Sequence, residues 1–87
     1  MKREVSKEGT VRYYDGELHR EKGAAVIYTN GNKHWYLNGK RHREDGPAVV
    51  WAGGTEGVWY LNGKKYSKKE FEVKIKLLNS KILKVLR

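Results

Sequence analysis

Trp35-Tyr36-Leu37-Asn38-Gly39-Lys40-Arg41-His42-Arg43-Glu44-Asp45-Gly46-Pro47-Ala48-Val49 is the stretch that decides how this chain folds. Its first six residues return as Trp59-Tyr60-Leu61-Asn62-Gly63-Lys64, a shift of 24 positions. Its second half echoes His19-Arg20-Glu21-Lys22-Gly23-Ala24-Ala25-Val26, a shift of 23. The same shift sets Tyr13-Tyr14-Asp15-Gly16 against Tyr36-Leu37-Asn38-Gly39. A period of this length marks a repeat architecture, in which each unit rests mainly on its neighbours. Three copies of one segment are present, joined by two copies of a linking segment.

The repeated segment reads as a β-hairpin. Asn38-Gly39 and Asn62-Gly63 suit a two-residue type I′ turn, which needs positive φ at both central residues. Asp15-Gly16 carries the same chemistry in the first copy. Asn30-Gly31-Asn32 and Gly53-Gly54-Thr55-Glu56-Gly57 read as longer turns. Pro47 is tolerated at the start of a strand, where no donor is needed. Strands are expected over Val11–Tyr14, Glu17–His19, Ala25–Tyr28, Lys33–Leu37, Lys40–His42, Ala48–Trp51, Val58–Leu61 and Lys64–Tyr66. Joined in order by tight turns, they make an antiparallel meander. The expected fold is mainly β: a single twisted sheet of three hairpin repeats over 1–66, capped by an amphipathic helix over 67–87 within the same domain.

Strand alternation places Trp35, Leu37, Trp59 and Leu61 on one face, with Tyr36, Tyr60 and Tyr13 on the other. Arg12 takes the Trp position in the first copy. The segments Ala25–Tyr28 and Ala48–Trp51 are apolar on both faces, so the sheet needs cover. The residues after Tyr66 supply one cover. Ser67-Lys68-Lys69-Glu70 fits a capping box, and Tyr66 with Phe71 fits a hydrophobic staple. Phe71, Ile75, Leu78, Ile82 and Leu86 then recur at helical spacing, from Lys68 to about Leu86. Phe71 to Leu77 also alternates as a strand would, but the cap and the longer period favour helix. The tail Ile82-Leu83-Lys84-Val85-Leu86 offers itself to a second copy, so a homodimer through this helix or the sheet is one expectation beside plain intrachain packing.

The motif Trp35–Val49 resembles a tandem repeat of small bacterial and bacteriophage proteins, and is similar to the wider MORN and MORN-like group of stacked β-hairpins. The resemblance covers Val11 to Tyr66. It implies an elongated hairpin array with a binding or scaffolding role, and no reaction. It also implies a phage or mobile-element origin, and with that an inhibitor of a host defence nucleoprotein such as a CRISPR effector.

Composition bounds the rest. The chain has 87 residues and no cysteine, so one domain is expected, without disulfides or cysteine-based zinc sites. The opening Met1-Lys2-Arg3-Glu4 leads into no apolar run, and the apolar stretch Ala24 to Tyr28 is too short to span a bilayer. A cytoplasmic setting, in a bacterium or a phage-infected cell, is expected. The formal net charge is +9, which favours acidic partners.

His19 and His42 occupy equivalent positions and invite a metal or acid–base reading, but Tyr66 stands there in the third copy. A required ligand would not tolerate that change; a packing position would. Arg20-Glu21 and Arg43-Glu44-Asp45 read as connectors between repeats. His34 reads as a surface residue. Ser6, Ser67 and Ser80 lack a histidine partner motif, and Gly53–Gly57 lacks the Lys-Ser/Thr ending of a phosphate loop. No catalytic residue, metal site or cofactor is expected. The candidate binding residues are an aromatic set, Trp35, Tyr36, Trp59, Tyr60 and Tyr13, and a basic set, Lys40, Arg41, Lys64, Lys65, Lys68, Lys69, Lys74 and Lys81. Cations beside exposed rings suit phosphates and bases. The expectation is a non-catalytic protein that docks on an acidic macromolecule: a nucleic acid, a nucleoprotein or an acidic protein. The alternatives are a protein–protein scaffold or adaptor without nucleic-acid contact and, less favoured, a peripheral binder of anionic membranes.

Overall fold

The computed structural model describes residues 1–54 and 56–85. Thr55, Leu86 and Arg87 lie outside the described residues, as do the side chains of Lys81, Ile82, Leu83, Lys84 and Val85. The expected pairing of two helix tails therefore falls there too.

The chain is mainly β, with antiparallel sheets and one C-terminal helix. In order come β1 (Lys2–Val5), β2 (Val11–Asp15), β3 (Glu17–Leu18), β4 (Val26–Ile27), β5 (Lys33–His34), β6 (Tyr36–Leu37), β7 (Lys40–Arg41) and β8 (Val49–Val50). A 3-10 turn at Ala52–Gly54, β9 (Trp59–Leu61), β10 (Lys64–Tyr66) and α1 (Lys68–Val85) follow. The strands do not merge into the single sheet expected. Six form one sheet in the order β1-β2-β4-β5-β8, with β3 also on β2, while β6-β7 and β9-β10 are separate ribbons.

The division has a local cause. Each long strand changes partner at an aromatic residue. Val11 and Arg12 pair with β4, whereas Tyr14 and Asp15 pair with β3. Lys33 and His34 pair with β4 and β8, whereas Tyr36 and Leu37 pair with β7. Val58 bridges Val49, and Trp59–Leu61 then pair with β10. Two ladders that leave one strand toward different neighbours twist separately. At the hinge, the Tyr13 amide donates to the Ala25 carbonyl (2.8 Å) and the Trp35 amide to that of Ala48 (2.7 Å).

Successive hairpins still touch. The Arg20 amide donates to the Tyr36 carbonyl (3.1 Å) and the Gly39 amide to that of Leu18 (2.9 Å). One unit later, Arg43 donates to Tyr60 (3.2 Å) and Gly63 to Arg41 (2.8 Å).

The Asn-Gly turns form as expected: φ is 50° at both Asn38 and Asn62, and 78° and 83° at Gly39 and Gly63. The first hairpin differs. Tyr14 faces Leu18 and Asp15 faces Glu17, leaving Gly16 alone at the tip. This one-residue slip makes Tyr13, not Arg12, the counterpart of Trp35. The reason is electrostatic. Arg20 lies over the Tyr13 ring, as Arg43 lies over Trp35; the unslipped register would set Arg12 against Arg20 instead.

β1 was not expected. Its Lys-Arg-Glu-Val sequence is exposed throughout, and it is held by backbone pairing to β2. The following turn repeats the β4–β5 turn: Ser6 donates to Thr10 (2.9 Å) and Gly9 to Ser6 (3.0 Å), as Tyr28 does to Asn32 (2.9 Å) and Gly31 to Tyr28 (3.0 Å). β1 is thus half of a further unit.

The core is narrow. Ala24, Ala25, Val26, Ala48, Val49, Leu61 and Phe71 are its buried apolar residues. Gly57 is pressed against the Val49 carbonyl, and a Cβ there would lie 2.8 Å from the Pro47 Cβ. The capping box closes α1: the Glu70 amide donates to Ser67 Oγ (3.1 Å), and the Ser67 amide to Glu70 Oε1 (3.0 Å). Phe71 and Ile75 share a cavity with Pro47 and Trp59, so the helix covers the Trp side of the sheet. Further along, Val73, Leu77 and Leu78 are exposed.

Candidate docking surface

The two sides of the array have different chemistry. On the first, the linkers fold back over the rings. Arg20 lies 3.9 Å from the Tyr13 ring centroid, and its Nη1 donates to the Ala24 carbonyl (3.2 Å). Arg43 repeats this over Trp35, also at 3.9 Å, with Nη1 on the Pro47 carbonyl (3.0 Å) and Nε on Asp45 Oδ1 (2.9 Å). Each arginine closes its own loop and clamps a ring, which a lysine, with no planar fork, would not do. No third arginine follows Trp59; α1 stands in its place. The linker acids Glu21, Glu44 and Asp45 line the cavity over Trp35, and Asp15 and Glu17 oppose each other on this same side.

The histidines belong to the same framework. His19 Nδ1 accepts from the Asn38 amide (2.9 Å), and His42 Nδ1 from the Asn62 amide (3.0 Å). Each imidazole therefore holds the turn of the following hairpin. Among the described residues no group of three or more His, Asp or Glu is placed to hold a metal ion.

The second side is open in that no linker arginine clamps its rings, although Val26 and Val49 within it are buried. Directly opposed residues of paired strands share a face, and register puts Arg12, Val26, His34 and Val49 in one row. Rings gather around His34: Tyr28 edge-on at 5.1 Å, Tyr36 at 6.4 Å and Trp51 edge-on at 6.3 Å. Arg41 lies between Tyr36 (5.8 Å) and Tyr60 (5.4 Å). Lys65 opposes Tyr60, and Lys2 opposes Tyr14. Among these paired strand residues the one carboxylate on this side is Glu4, which faces Arg12 and lies 3.3 Å from Lys2.

His34 is not the surface residue expected. It is half-buried at the centre of the ring cluster, because strand alternation from Val26 and Val49 brings Tyr28 and Trp51 over it. Burial, and next the Arg41 charge, lower its pKa below the ordinary value of 6.5. Among the described residues, His34 Nδ1 and Arg41 Nε are buried without a hydrogen-bond partner.

The expected binding residues therefore do not form one surface. Tyr36, Tyr60, Arg41 and Lys65 meet on the open side. Tyr13, Trp35 and Trp59 lie on the other, under Arg20, Arg43 and the helix. Lys40 and Lys64 oppose Leu37 and Leu61 and share that covered side, with their own side chains exposed. Lys68, Lys69 and Lys74 are exposed on α1; the Lys81 side chain lies outside the described residues. Sequence reasoning missed Arg12, Tyr28, His34 and Trp51, although counting alternate positions from Val26 and Val49 points to Tyr28 and Trp51.

No family model matches the chain, nor does any curated protein or solved structure. Among the described residues no helix is long and apolar enough to cross a membrane.

Proposed function

We propose that this chain is a non-catalytic binding protein that docks on an acidic macromolecule, a nucleic acid or nucleoprotein, through the open face of a MORN-like hairpin array. The observation that carries this reading is the asymmetry of the two sides. On the linker side carboxylates offset the cations, while the other face presents rings interleaved with Arg12, Arg41 and Lys65 against Glu4. Cations neutralise phosphates, and rings lend apolar area that keeps its shape on binding. The exposed lysines of α1 add to the same field. A phage-encoded inhibitor that occupies the nucleic-acid path of a host defence complex is one form such docking takes.

The test is affinity capture from a bacterial lysate, run with and without nuclease, followed by a salt titration of whatever is retained. A nucleic acid or nucleoprotein released between low and moderate salt supports the reading. One acidic protein, retained after nuclease and insensitive to salt, would replace it with a protein scaffold.

A further inference from the structure

Resting on that reading, we propose that the open face is a site for single-stranded nucleic acid, with Trp51 as its principal stacking ring and Arg12, Arg41 and Lys65 on the phosphates.

Three observations carry this. The first is exposure. Tyr28, Tyr36 and Tyr60 are half-buried, whereas Trp51 is 40 % exposed. Its neighbour His34 meets it edge-on at 6.3 Å, so the Trp51 ring is braced from beneath without a stacked partner there. A large braced ring on a sheet surface is a platform for a base. The second is charge. The open face carries Arg12, Arg41 and Lys65, against Glu4, which is already engaged with Lys2. An anionic ligand therefore meets mostly cations on this side, whereas the other mixes Arg20, Arg43, Lys40 and Lys64 with the carboxylates Glu21, Glu44 and Asp45. The third is what such a ring requires of its partner. Bases in a duplex are stacked on one another and offer no free π-face, whereas unpaired bases do.

The experiment is fluorescence anisotropy with labelled oligonucleotides of about a dozen nucleotides, in deoxy and ribo form, and a duplex of the same sequence. The whole chain is used, wild type and with Trp51→Ala, Trp51→Phe and a triple Lys68→Glu, Lys69→Glu, Lys74→Glu change. Far-ultraviolet circular dichroism and melting confirm that each variant is folded. The expected result is binding to a single strand of either sugar, at least tenfold tighter than to the duplex. Trp51→Ala weakens it roughly tenfold, and Trp51→Phe restores most of the loss. Affinity falls roughly twentyfold between 50 and 200 mM salt, as three phosphate contacts on a single strand require. A duplex bound as tightly as the single strand, with the helix triple variant abolishing it, overturns the single-strand assignment and leaves the broader reading standing. Single-strand binding indifferent to Trp51→Ala overturns the stacking site. No binding to any oligonucleotide, with an acidic protein still captured after nuclease, overturns both.

Discussion

The two repeated histidines show how a single ring nitrogen sets the spacing of an array. An Nδ1 that accepts an amide proton carries none itself, so His19 and His42 act through neutral imidazole. A hydrogen bond of this kind contributes about 1 kcal/mol net. His19→Ala and His42→Ala are each expected to lower stability by roughly that amount, read from urea denaturation midpoints at constant slope. Midpoints unchanged in both variants would show that the bonds carry nothing.

His34 gives the pH dependence a definite sign. Its folded-state pKa lies below the ordinary value of 6.5, so the unfolded chain binds its proton more readily. The stability associated with neutral His34 is present above pH 6.5 and is lost as pH falls toward and through the lowered value. Denaturation midpoints measured from neutral to mildly acidic pH should decline. His34→Phe, which keeps a ring and cannot titrate, should flatten that part of the profile. An equal decline in the variant would assign the effect elsewhere.

At the scale of elements, α1 is both a helix and a lid. Ser67 and Glu70 close its first turn, and Phe71, 5 % exposed, fastens it beside Trp59. Truncating a buried Phe costs roughly 3–5 kcal/mol, a large share of what so small a domain has. Phe71→Ala should therefore produce a partly melted or unfolded chain at ambient temperature by circular dichroism. Ser67→Ala should cost only about 1 kcal/mol, the usual value for a lost N-cap. The helix was legible in the sequence because its start is encoded in four adjacent residues. The Asn-Gly hairpins were legible for a similar reason: two neighbouring residues must both take positive φ. The slip of the first hairpin was not, because it is decided by Arg20 finding the Tyr13 ring rather than by the letters at the turn. β1 escaped notice because its stability comes from backbone pairing to β2, and Lys-Arg-Glu-Val carries no alternation toward a core.

For the whole molecule, the decisive property is that the linkers and helix lie on one side while the other keeps Trp51 exposed. Sequence alternation showed that rings project both ways. It did not show which side the linkers and helix would take, since that follows from where Arg20, Arg43 and Phe71 find partners across many residues. The three tryptophans turn this into a measurement. Trp35 sits under Arg43 and Trp59 beside Phe71, while Trp51 is open. Acrylamide should quench a large fraction of the emission in the native protein, and Trp51→Phe should remove most of that quenchable fraction. A variant quenched as strongly as the wild type would place the exposed ring elsewhere.

That α1 stands where a further arginine loop would otherwise fold has a consequence for growth. The helix meets Trp59 and Pro47 at the end of a linker, a seat that a unit built on Trp, as at Trp35, also offers. A chain of this design lengthens by duplicating one period ahead of the helix, and the new segment inherits its seat, its clamp and its histidine tether from its neighbour. Reach can thus be adjusted in increments of one unit, without redesigning either end.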